Sequence, residues 1–182
     1  MGVDGLARNY CGLTVSVSGA PERFPVARLQ RALERRGAIL SRRIETGTHL
    51  TVIAHGAVGR LAMGRLPTVI FQAGSAVITE HQFLREVGLL DSPPGKSRDY
   101  SLDAFAAASR LTRKERFWLE LFDAIEAQDG AYDFGDLILA RQIKSLIESG
   151  IRLPSIIGAA NAFRRAARRD AIKQISGAGP CS

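Results

Sequence analysis

The chain has 182 residues, 46% hydrophobic and 24% charged, which allows one medium domain or two small ones and excludes wholesale disorder. A formal charge of +7 and a sequence pI near 10.1 suit a nucleic-acid partner without demanding one. No apolar run is long enough to span a bilayer and the start of the chain has no signal-peptide core, so a cytoplasmic protein with no membrane partner is expected.

Charge divides evenly. From Met1 to Gly95 eleven Arg and no Lys face seven acids, and from Lys96 onward fourteen basic residues face eleven. Neither half is an overwhelming polycation. Cys11 and Cys181 stand near opposite ends, and in a chain without a signal peptide they are expected to stay reduced. No Cys-x-x-Cys or His-x-x-His spacing suggests a metal, and no cofactor is expected.

In chain order, Cys11 to Gly19 alternates apolar and small polar residues before a glycine, as a strand does. Phe24 to Arg36 predicts a helix with Pro25 in its first turn and Val26, Leu29 and Leu33 on one face. Ala38 to Ile44 and Thr48 to Ala54 read as strands. The loose segment after them has room for a short helix, Thr68 to Gln72 adds an apolar segment, Ser75 to Thr79 is a last strand, and Glu80 to Gly88 is a helix. This alternation predicts an α/β layer on a mostly parallel sheet of four strands. Asp91 to Asp99, with paired prolines, glycine and charges, reads as a linker.

From Tyr100 the apolar period becomes helical. Thr112 is an N-cap with Glu115 three residues later to close a capping box, Asp129-Gly130 is a turn, Gly150 stops a long helix, and Pro154 opens another. Phe117, Trp118, Leu121, Phe122 and Ile125, then Leu137, Ile138, Ile143, Leu146 and Ile147, have the spacing of core residues. The expected organisation is an α/β domain over 1–90, a linker over 91–99, a helical domain over 100–175 and a flexible tail over 176–182.

Two family resemblances lie on these residues. GLTVSVSG, the Arg-Arg-Gly-Ala turn, THLTVIA and AVITEHQFLREVGL together resemble a BRCT domain across Cys11 to Leu90, with Phe83 standing where that family usually has tryptophan. YSLDAFAAASRLTRKERFW and GAYDFGDLILARQIKSLIESGIRLPSI resemble the helix-turn-helix, wing and following helices of the MerR-like group, over about a third of the chain. The second resemblance implies a recognition helix in the DNA major groove. Its DNA-facing candidates are Arg110, Thr112, Arg113, Lys114 and Arg116, with Arg164 and Arg165 in the basic segment beyond. Here Phe117-Trp118-Leu119 and Asp133 replace two tyrosines, a glutamate and a wing arginine of the family pattern. Glu120, Asp123, Glu126, Asp129, Asp133 and Asp136 would repel a duplex if they faced it.

The BRCT resemblance implies a phosphate pocket, for which Ser18, Gly19 and Arg60 are the candidates. For catalysis no residues are assigned. His49, His55 and His81 have no patterned carboxylate or serine partner, and Gly56, Gly59 and Gly64 make no dinucleotide or P-loop fingerprint. The expected function is therefore non-enzymatic. It is DNA binding in transcriptional control or genome maintenance, bacterial in style, with double-stranded DNA as partner, a protein partner for the first domain and room for a homodimer. The alternative is a protein or phosphopeptide scaffold whose helix-turn-helix has lost DNA contact. A weaker third is a small enzyme holding a phosphate on the Gly56–Gly64 loop.

Overall fold

The computed structural model describes residues 9–22, 24–41, 43–45, 47–62, 64, 74–91, 98–128 and 130–162. The segment Thr68 to Gln72, most of the linker, Arg164, Arg165 and the tail lie outside the described residues. The protein is a mixed α/β structure. β1 (Thr14–Ser18), α1 (Val26–Glu34), β2 (Ile39–Ser41) and β3 (Leu50–Ile53) lead into a 3-10 turn at His55–Ala57 and α2 (Val58–Ala62). β4 (Ala76–Thr79) and α3 (Glu80–Glu86) complete the first unit. The four strands pair in the order β2-β1-β3-β4, every pairing parallel, with Val15 opposite both Leu40 and Leu50 and Val52 opposite Ile78.

Side-chain alternation gives this sheet two different faces. Val15, Leu50, Val52 and Ile78 pack with Leu29, Ala32 and Leu33 of α1 and Phe83 and Leu84 of α3. The opposite face carries Ser16, Ser18, Thr51 and Ile53. Its buried hydroxyls are satisfied locally: Ser16 donates to the Arg43 carbonyl at 2.7 Å, and Thr51 and Ser75 share a hydrogen bond at 2.6 Å.

The second unit opens with β5 (Tyr100–Ser101) and α4 (Leu102–Ser109). After a turn at Arg110, which takes the left-handed conformation (φ 58°), come α5 (Arg113–Leu121), β6 (Ala131–Tyr132) and α6 (Phe134–Glu148). A final helical stretch, α7, covers 153–162. β5 and β6 form a small antiparallel ribbon, and Phe105 stacks on Tyr132 with centroids 3.8 Å apart. The Thr112–Glu115 capping box forms as the sequence implies, and Asp133 and Asp136 form a second one at the start of α6.

Several expectations are corrected by the packing. β2 stops at Ser41 because the Ser41 hydroxyl and Arg43 backbone bond to each other, which competes with the ladder. Pro25 caps α1 from outside, Val26 is exposed, and Ala32 takes its place against the sheet. Phe117 is 38% exposed, because the buried stripe of α5 runs through Trp118, Leu119 and Leu121. Ile138 and Leu146 likewise lie on the outer side of α6.

The two units share a core. Ile53 and Ala57 of the first unit belong to the same buried cluster as Phe105, Trp118, Leu119, Phe122 and Ile125 of the second, with Val58, Leu61 and Val77 packed at its edge. Among the described residues no helix is long and apolar enough to cross a membrane.

Candidate functional site

Three groups of polar side chains stand out. The first is at the carboxyl end of β1. Gly19 has φ 91°, and a Cβ there would lie 2.3 Å from the Ala57 backbone nitrogen; a Cβ on Gly56 would lie 2.7 Å from the Ala20 backbone. This interlock brings α2 against β1, so that Arg60 Nη1 donates to the buried Ser18 Oγ at 3.2 Å. The rest of Arg60 is exposed. Ser18, Gly19 and Arg60, separated by forty residues of sequence, thus occupy one spot.

The second group is the start of α5. Arg110, Thr112, Arg113 and Lys114 are exposed, and among the described residues Arg113 and Lys114 make no ion pair. Arg116 differs: it is half-buried with Nε 3.5 Å from Glu120 Oε1, so its charge is already engaged within the helix. Behind this turn Lys144 Nζ lies 3.2 Å from Glu115, and Arg141 Nε donates to the Ala108 carbonyl at 2.9 Å, tying α6 to both α5 and α4. Burial works to raise the Glu115 carboxyl, but the Thr112 amide and hydroxyl and the Lys144 ammonium outweigh it and hold the group below its ordinary value.

The acids that looked like a barrier to DNA are engaged elsewhere. Glu120 accepts from the Tyr132 hydroxyl, Glu126 pairs with Arg85, and Asp133 and Asp136 cap α6. Asp133 is buried at the N-cap of α6. Asp129 lies outside the described residues.

The third group is a buried polar node between the units, and sequence reasoning missed it. Glu80, on the first turn of α3 and 2% exposed, accepts from the Glu22 amide at 2.7 Å, the His55 amide at 2.9 Å and the His55 ring at 3.0 Å. Burial alone would raise Glu80; the His55 ring and the two amides outweigh it and hold the carboxyl below its ordinary value. The other edge of His55 meets Asp123, with Nε2 3.4 Å from Oδ2, and His81 Nδ1 lies 3.7 Å from the same oxygen. Asp123 follows α5 in a left-handed conformation (φ 54°), which turns its carboxylate back toward the sheet. Burial pushes that carboxyl up to about 6, against the opposing pull of the Thr79 hydrogen bond and the His55 charge.

His55, His81 and Asp123 each offer one ligand atom, all within 4.8 Å of one another, so they are the described residues that could hold a metal. The expectation that these histidines lack carboxylate partners is therefore corrected. No linear spacing could have found the node, because His55 comes from the 3-10 turn, His81 from α3 and Asp123 from the far unit. No protein-family model, curated protein or solved structure matches the chain.

Proposed function

We propose that this protein is a non-enzymatic DNA-binding adaptor, in which a MerR-like helical unit inserts α5 into the major groove and a BRCT-like unit serves as an interaction module. The observation that carries this reading is the start of α5, where Arg113 and Lys114 are exposed beside Arg110 and Thr112 and make no ion pair among the described residues. Basic side chains and helix N-terminal amides are the groups that hold phosphates and set register on a duplex. Further support comes from the partners of the nearby acids: Glu126 is paired with Arg85 and Glu120 with Arg116, while Asp133 caps α6 from a buried position, which offsets part of the like-charge repulsion.

A second reading, a scaffold that recognises a phosphorylated protein segment, draws support from the Arg60–Ser18 contact beside Gly19. An exposed guanidinium next to a hydroxyl can hold a phosphate through charge-assisted hydrogen bonds. One experiment separates the two. Fluorescence anisotropy on random duplex DNA between 50 and 200 mM salt is expected to show steeply salt-dependent binding, and Arg113→Ala with Lys114→Ala should flatten the log–log slope by about 2. Absence of duplex binding, together with capture on phosphoserine peptides that Arg60→Ala abolishes, would favour the scaffold.

A further inference from the structure

We infer that the junction between the two units is a binding site for a first-row divalent metal ion of the zinc class, with His55, His81 and Asp123 as ligands and Glu80 orienting His55 behind them. The inference stands apart from the DNA reading, since it rests on residues that face inward.

The chemistry of His55 carries it. Glu80 Oε2 lies 3.0 Å and Glu22 Oε2 3.4 Å from Nδ1, and these two carboxylates on one edge of the ring turn Nε2 toward Asp123. Nε2 is buried and makes no hydrogen bond, and Asp123 Oδ2, which accepts from the His81 amide at 3.2 Å, lies 3.4 Å from it. Nε2 thus faces a carboxylate oxygen and a second imidazole with its own hydrogen-bonding capacity unused, and a bound metal ion is a group that would use it. A shared proton would draw the atoms to the 2.7–3.2 Å of an N–H···O bond with aligned geometry. A tetrahedral ion with bonds of about 2.0–2.1 Å instead sets its ligand atoms about 3.3–3.4 Å apart; the His55–Asp123 pair stands at that spacing, with His81 Nδ1 3.7 Å from the same oxygen and all three ligand atoms within 4.8 Å. A carboxylate bonded to the far nitrogen of a ligating histidine is also the usual outer support of such a site, fixing tautomer and ring direction.

Access and ligand type agree. Asp123 lines a cleft of about 250 Å³ together with Thr79, Gln82, Glu120 and Glu126, through which an ion can enter. Two imidazoles and one carboxylate suit zinc and its first-row neighbours better than calcium or magnesium, which take all-oxygen shells. The ion would bridge the 3-10 turn and α3 of the first unit to the end of α5 in the second, so its binding free energy adds to the cohesion of the junction.

The test uses the full chain, stripped with chelator and titrated with zinc sulfate by calorimetry at pH 7.5. The expected result is one equivalent bound with a micromolar or tighter Kd, and a Tm raised by about 5–10 °C at zinc a hundredfold above Kd. His55→Gln and Asp123→Asn should each weaken binding at least tenfold, whereas His49→Gln, at an exposed histidine outside the node, should leave it unchanged. No saturable binding to the folded wild-type chain, or binding that neither node variant weakens, overturns the proposal. If the node variants do not fold, the wild-type chain decides alone: on adding zinc, the His55 Nε2 resonance in nitrogen NMR must shift as a metal ligand does, and an unmoved resonance refutes the site.

Discussion

Ile53 is the residue that most directly measures whether the two units fold together. It sits on β3, paired in register with Thr79, is 1% exposed, and belongs to the cluster built otherwise from Ala57 and the helical unit. Ile53→Ala removes three buried carbons, worth roughly 0.8 kcal/mol each in transfer, so about 2.4 kcal/mol, and the residual cavity brings the cost to about 3–4 kcal/mol. For a chain of this length the Tm should fall by about 6–16 °C. Trp118, the single tryptophan, is 4% exposed in the helical unit and reports its unfolding through fluorescence. Urea unfolding should show the Trp118 midpoint moving with the far-UV circular dichroism midpoint. Leu33→Ala, in the other core beneath α1, should move the Trp118 midpoint as well. A Trp118 transition unmoved by both substitutions would refute a common cooperative core.

At Gly19, an alanine would need both the left-handed backbone and space already taken by the Ala57 amide, so Gly19→Ala should destabilise by more than about 3 kcal/mol, read from the urea midpoint, where Gly47→Ala, with open space around it, costs about 1. Glu115 sets a pH dependence. Its folded carboxyl lies below the ordinary value, so its stabilisation is complete above the unfolded value near 4.5 and is lost as pH falls through the folded value. Glu115→Gln should therefore cost about 0.5–1 kcal/mol at pH 7, and the gap to wild type should close in acid below pH 4.5; a gap that is constant with pH would refute the ionised cap and Lys144 pair.

Local signals in the sequence carried the elements well where one residue type decides the geometry. Thr112 and Glu115 announced a helix start, Gly37, Gly88 and Gly150 marked chain reversals with positive φ, and the alternation in GLTVSVSG marked a strand. What the chain could not announce was which apolar residues lie on a rim. Phe117 has the same periodicity as Trp118 and Leu121, and only the direction in which α5 turns its buried stripe, through Trp118, Leu119 and Leu121, leaves it outside. The start of α5 was legible because its charges are contiguous. The node was not, because Glu22, His55, Glu80, His81 and Asp123 come from four separate parts of the chain and meet only once Ile53 and Ala57 have joined the helical core. Asp123 read as one more surface acid in an acidic run, and its direction depends on a backbone conformation that aspartate tolerates without advertising it.

The left-handed residue after α5 also fixes a bearing. Arg113 and Lys114 lie at one tip of a nine-residue rod about 13 Å long, and two residues past its other tip Asp123 is moored to His55 and to the amide of His81. The rod cannot swivel about its axis without dragging that mooring out of the sheet. Whatever surface its cationic tip meets is consequently held at a set angle to the edge where Ser18 and Arg60 stand, and two ligands taken at once would be presented to each other in one orientation.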